Sequence, residues 1–144
     1  MSRGLIARET AISMAINSAL NYGFSLLAFG GTAEAPVWGV GGLLFDLVPT
    51  CFMITLMGSV VPSLINRRHL SPTPSIRFIL LHGLLLALLA VLVLVPTVAL
   101  LLRGTDVLSF AAVLWLKLPL GAVLACCVTL WSLRGLLHRG LVHA

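Results

Sequence analysis

The sequence is short of charge. Asp, Glu, Lys and Arg make up 9% of its 144 residues, whereas soluble domains carry about 25%. Nine basic and four acidic side chains cannot cover a water-exposed surface of this size, and 60% of the residues are hydrophobic, with a mean hydropathy of +1.13. The scarcity of charge therefore excludes a soluble globule and indicates a protein whose surface is solvated by lipid.

Recognisable catalytic, metal-binding and cofactor-binding motifs are also absent. The three cysteines, Cys51, Cys126 and Cys127, lie in apolar runs without a CxxC pair or a zinc-like Cys–His spacing. We interpret them as small packing residues. No phosphate loop, dinucleotide fingerprint, nucleophile elbow or zinc-protease helix is found. We therefore predict no catalytic residue, no metal site and no cofactor, and we favour a protein that is not an enzyme.

Four apolar segments are long enough to cross a bilayer, which needs about 20 apolar residues in a helix. They cover residues 10–29, 43–65, 78–102 and 108–133, and the segments between them are rich in glycine, proline or charge. The sequence therefore predicts an all-α membrane protein with one domain of four transmembrane helices over residues 1–144.

Basic residues orient these helices. They lie before the first span, between the second and third, and after the fourth, whereas the first loop has none and Arg103 in the third loop is offset by Asp106. By the positive-inside rule, both termini are predicted in the cytoplasm (N-in/C-in), in a bacterial inner membrane. Because this basic charge flanks apolar runs and does not cluster with aromatics, we predict no nucleic-acid partner. The residues are Arg3, Arg8, Arg67, Arg68, Arg77, Arg134 and Arg139.

A faint internal repeat relates the two halves of the chain. Two copies of a two-helix hairpin would keep the same orientation, since an even number of helices preserves direction. The competing interpretation is that any two apolar helices align loosely, and both remain open. A shift of 70 residues aligns Phe45 with Trp115, Pro49 with Pro119, and Arg68 with His138.

The first helix carries two distinct faces. One face is polar and spans an arc of about 120° at 100° per residue. The opposite face is a stripe of small residues spaced four apart, which allows another helix to approach closely. The polar face either lines a path for a substrate or ion, or makes interhelical hydrogen bonds worth about 0.6 kcal/mol each, and we favour the second. The polar face is Thr10, Ser13, Asn17, Asn21 and Ser25, and the stripe is Ala11, Ala15, Ala19 and Gly23.

Two charges lie inside the predicted spans. Asp46 is near the outer end of the second helix, and Lys117 lies deeper, on the same side, in the fourth. A lysine near the centre of a membrane helix costs about 2.5–3.5 kcal/mol, so it needs a partner, and we predict a buried ion pair with Asp46. The pair is interpreted either as a structural pin that fixes helix register or as a switch or proton-coupled site, and we favour the pin.

Two classes of function follow from these residues. The favoured class is an accessory or scaffold subunit of a larger membrane complex, whose partners are lipid, other membrane subunits or a second copy. The alternative is a small homo-oligomeric transporter or channel with a polar site around Asp46, Lys117, Asn17 and Asn21. A membrane enzyme acting on lipid is a third and more distant alternative, because no catalytic constellation accompanies the pair.

Overall fold

The computed structural model describes residues 3–67 and 73–142. Within these residues, four helices follow one another, with one short strand between the first two and another between the last two. The helices are α1 (Arg3–Phe29), α2 (Leu43–Ile65), α3 (Ile76–Leu101) and α4 (Phe110–Val142), and the strands are β1 (Glu34–Pro36) and β2 (Val107–Ser109).

All four helices are long and apolar enough to cross a membrane, which confirms the predicted class of an all-helical membrane protein. The boundaries differ where polar residues extend a helix. The α1 helix begins at Arg3, not at residue 10, and α4 continues to Val142, past the predicted end at residue 133. Hydropathy marks where the apolar stretch ends, whereas helical hydrogen bonding continues through the polar turns beyond it.

The two strands form a ribbon that the sequence did not predict. β1 and β2 pair antiparallel, with Ala35 opposite Leu108 at the centre. The loop after β1 extends the contact, because Trp38 Nε1 donates a hydrogen bond to the Thr105 carbonyl at 2.8 Å. The ribbon joins the two interhelical loops at one end of the bundle. We call this the ribbon end, and the end where α1 begins and α4 finishes the terminal end.

The helices pack in a defined order. α1 packs on α4, α4 on α2, and α2 on α3, while α1 and α2 touch at few points. α2 and α4 run parallel, because the residues bonded across them are separated by a near-constant 69 to 73 positions. An apolar core closes the ribbon end of this arrangement. Its buried members are Phe29, Ala35, Leu43, Leu47, Cys51, Val98 and Val113.

Close contact between α2 and α3 depends on Gly83. A Cβ at this position would lie 2.5 Å from Val60 Cγ2 and 2.9 Å from Ser59 Oγ. Both distances are too short for a real contact, so a side chain here would push the helices apart. Small residues at such crossings are how membrane helices gain van der Waals contact without a hydrophobic driving force.

Candidate functional site: an ion pair beside a lateral groove

The structure brings the two deep charges together. Lys117 Nζ donates a hydrogen bond to Asp46 Oδ2 in a salt bridge between α4 and α2. The lysine side chain is fully buried, and its ammonium also lies 5.9 Å from the centroid of the Phe29 ring. The Asp46 side chain is 21% exposed. The pair therefore has one closed side, at the lysine, and one side from which the carboxylate can be reached.

Asn21 joins α1 to the same level of the bundle. Its Nδ2 donates a hydrogen bond to the Lys117 carbonyl at 2.7 Å. Gly121 makes room for this contact, because a Cβ there would lie 2.7 Å from the same Nδ2 atom. A carbonyl can only accept, so this bond fixes the orientation of the amide. Asn21 Oδ1 is left buried without a hydrogen-bond partner among the described residues.

The rest of the predicted polar face of α1 is also buried, but much of its bonding is local. Asn17 Nδ2 donates to the Ser13 carbonyl at 2.8 Å and to Ser13 Oγ at 3.3 Å. Ser25 Oγ donates to the Asn21 carbonyl at 2.7 Å. The Ser13 and Thr129 hydroxyls lie 3.0 Å apart in a hydrogen bond, which ties the face to α4. Asn21 and Ser13 thus provide the interhelical bonds, while Asn17 and Ser25 bond within α1.

A polar seam between α2 and α4 continues from the ion pair toward the terminal end. Thr129 Oγ1 donates to the Gly58 carbonyl at 3.0 Å. The Ser63 and Ser132 hydroxyls lie 3.0 Å apart, and Ser132 Oγ also donates to the Ser59 carbonyl at 3.2 Å. Our sequence reasoning overlooked this seam. Its signal was the recurrence of Ser and Thr at helical spacing in both α2 and α4.

The stripe of small residues on α1 faces away from the bundle. Ala11, Ala15 and Ala19 are exposed and Gly23 is half-buried. A Cβ added at Gly23 would meet no atom of the described residues within 4 Å. Among the described residues, therefore, no helix packs against the stripe, and α1 lies at the edge of the bundle.

A groove separates α1 from α2 where the two helices fail to pack. Its volume is about 600 Å³, and it runs along α1 from Glu9 to Phe24, a distance of about 22 Å at 1.5 Å per residue. The walls are mainly apolar side chains, several of them half exposed. The apolar wall includes Ile12, Ile16, Leu20, Phe24, Met53, Met57, Val61 and Ile65, and the polar wall includes Glu9, Ser13, Asn17, Asn21, Asp46 and Thr50.

The ion pair and the groove meet at the level of Asn21. Asn21 and Asp46 both line the groove, one from each side, and Lys117 lies behind them with no exposed surface. Thr50 belongs to the same wall, but its hydroxyl donates to the Asp46 carbonyl at 2.7 Å. Across the described residues, no group of three or more His, Cys, Asp or Glu side chains is placed to hold a metal ion. The groove offers hydrogen-bonding groups and apolar side chains on its walls.

Comparison with known proteins gives no match: no protein-family model, no curated protein and no solved structure matches this chain.

Proposed function

We propose that this protein binds a lipid-soluble molecule in the groove between α1 and α2 and carries it within or across the membrane. The observation that supports this function is a partly open groove of about 600 Å³ with Asp46 on its wall. Ligand sites in proteins are clefts of about 300–1,000 Å³ with apolar walls and a few polar groups. A groove flanked by two membrane-spanning helices receives its ligand sideways, from the bilayer.

The proposed orientation places both termini in the cytoplasm of a bacterial cell and the ribbon end outside. The distribution of arginine supports it: Arg8 and Arg67 lie near the terminal end, while Arg103 and Asp106 balance each other near the ribbon. The Asp46 end of the groove then belongs to the outer half of the membrane, and the Glu9 end reaches the cytoplasmic surface.

We also propose that the fold is a duplicated two-helix hairpin. Three features of the packing support this: α1 packs on α4 as α3 packs on α2, α2 and α4 run parallel, and the strands after α1 and α3 pair with each other. A two-fold axis along the membrane normal relates the elements in each of these contacts.

For transport, we propose that the protein works as a homo-oligomer, because four helices do not enclose a pathway. The surface best suited to the contact between copies is the stripe of Ala11, Ala15 and Ala19, which is exposed on α1. Small residues at this spacing let helices of two copies approach closely in lipid.

A second candidate function is that of an accessory subunit in a larger membrane complex. It is favoured by the outward face of α3, where Leu81, Leu85, Leu88 and Leu92 are all more than half exposed. In that case a helix of another subunit covers this face or fills the groove. Its partner would be a second protein and not a small molecule.

Native mass spectrometry of the protein extracted in mild detergent distinguishes the two functions. The test compares Ile16→Trp, which fills the groove, with Leu88→Trp on the outer face of α3; both leucine-sized side chains are 54% exposed in the protein. Carrier function predicts a bound small molecule in the wild type and in Leu88→Trp, and its loss from Ile16→Trp. Stoichiometric protein partners with no bound small molecule would instead establish the subunit role.

A further inference from the structure

The polar groups on the groove wall are mostly acceptors. The amide nitrogens of Asn17 and Asn21 donate to the backbone carbonyls of Ser13 and Lys117, respectively. The Thr50 hydroxyl donates to a backbone carbonyl of α2. What these side chains leave for a ligand is mainly acceptors: the two amide oxygens and the carboxylate of Asp46, beside one remaining N–H of Asn21. A ligand that pairs with these oxygens must therefore donate hydrogen bonds.

The oxygen of Asn21 is the acceptor most in need of a partner. The side chain is 2% exposed, and Oδ1 accepts no hydrogen bond from the described residues. A small void beside Asn21, toward Leu47 and Cys51, is too small for a water molecule. A buried acceptor without a donor is costly, and the groove, which Asn21 also lines, is the open side from which a donor can approach this residue.

Charge decides what kind of donor fits. Lys117 already neutralises Asp46, and its ammonium lies directly behind the site. A cationic head group would be attracted to Asp46 but repelled by the ammonium behind it, so it gains little to offset its loss of hydration. An anionic head group would face the acceptor oxygens and Asp46. A neutral head group avoids both penalties and costs the least to remove from water.

The apolar wall indicates the chemistry of the rest of the ligand. From Asn21 toward the terminal end, the groove is lined by Ile16, Ile12, Met53 and Met57. Methionine is flexible and polarisable, and it adapts to ligands of irregular shape. This part of the groove offers room for an extended hydrocarbon tail.

We infer that the ligand of the groove is an uncharged amphiphile with a hydroxyl or amide N–H head group, which donates a hydrogen bond to Asn21 Oδ1 beside Asp46, and with an apolar tail that lies against Ile16 and Met57. This inference rests on the proposed function and specifies its ligand class.

Competition for the groove by four 16-carbon molecules tests the inference. Deuterated hexadecanol is bound to the detergent-solubilised protein and counted by native mass spectrometry. Unlabelled hexadecanol, its methyl ether, hexadecylamine and hexadecanoic acid then compete at equal mole fraction in the micelle. We expect hexadecanol to compete about five- to tenfold better than the methyl ether, which lacks the donor. The charged amine and acid should compete less well than the alcohol.

Two variants locate the donor contact. Asn21→Leu should abolish the preference for the alcohol over the ether. Thr55→Val is the matched control, because Thr55 Oγ1 is also buried without a partner among the described residues but is not on the groove wall; it should keep the full preference. The comparison of the four competitors on the wild-type protein needs no variant, so it remains decisive if Asn21→Leu fails to fold.

The outcomes separate the inference from the function on which it rests. Equal competition by alcohol and ether in the wild type would refute the donor requirement, and stronger competition by the amine or the acid would refute the charge argument. Either result leaves ligand binding in the groove intact. If hexadecanol binds equally to the wild type and to Ile16→Trp, the groove is not the binding site and the proposed function fails with the inference. If it binds to neither, only the inferred ligand class is refuted.

Discussion

Removing either member of the Asp46–Lys117 pair should destabilise the protein more than removing both. In Lys117→Met the carboxylate of Asp46 loses its partner, and in Asp46→Leu an ammonium with no exposed surface is left alone in the bundle. Breaking a buried ion pair on one side costs about 3–5 kcal/mol. The double variant, with two apolar side chains, leaves no unpaired charge and should lie close to the wild type in stability.

The exposed fractions of the two side chains predict which single variant loses more stability. Asp46 is 21% exposed and lines the groove, so its unpaired carboxylate is less enclosed by protein than the lysine. Lys117 is 0% exposed, so its unpaired ammonium has no contact with solvent in this packing. We therefore expect Asp46→Leu to cost about 4–5 kcal/mol and Lys117→Met about 3 kcal/mol, both within the range for broken buried pairs.

The assay is reversible unfolding in mixed micelles, followed by circular dichroism as the fraction of denaturing detergent rises. The four proteins form a double-mutant cycle, whose coupling energy isolates the interaction of the pair. Asp106→Asn, at an exposed position between α3 and β2, is the control for loss of a carboxylate outside the bundle and should not change the midpoint. Additive costs in the double variant would show that the two charges do not stabilise each other, and the interpretation as a structural pin would be wrong.

Further predictions concern packing, the seam and orientation. Gly83→Ala should destabilise the protein by about 1–3 kcal/mol through overpacking against α2. Gly23→Ala, in open space, should be neutral or stabilising in the same unfolding assay. Equal losses of stability in the two variants would refute the close-packing argument. Thr129→Val removes both interhelical hydrogen bonds of its hydroxyl and should cost about 0.6–1.7 kcal/mol, with no change indicating that the seam is energetically neutral. In a variant without the native cysteines, Ser109→Cys should react with a membrane-impermeant thiol reagent in intact cells and Ser75→Cys only after lysis; the reverse pattern would invert the proposed orientation.

Much of the fold follows from the sequence because membrane helices are local structures. In hydrocarbon, every backbone donor and acceptor must be satisfied within the segment, so a long apolar run with few charges forms a helix whatever its neighbours are. The same absence of hydrogen-bonding solvent places Asn17 and Asn21 inside the bundle. The pairing of Asp46 with Lys117 was also predictable, since they are opposite charges on the same side of the predicted spans and neither is stable alone in lipid.

The order in which the helices pack was decided by the tertiary structure. Lipid and protein are equally apolar neighbours for a leucine-rich helix, so periodicity does not tell which face of α3 meets α2 and which meets the bilayer. The ribbon joins residues about 70 positions apart, and no local pattern in Glu34–Pro36 or Val107–Ser109 specifies that pairing. The groove is the clearest case, because it exists only where α1 and α2, consecutive in the chain, both pack on α4 and leave a space between them. The sequence therefore determined which polar residues had to be buried. Only the helix packing placed Asn21 and Asp46 on opposite walls of one groove, because their relative position depends on contacts between helices that no local segment of the chain encodes.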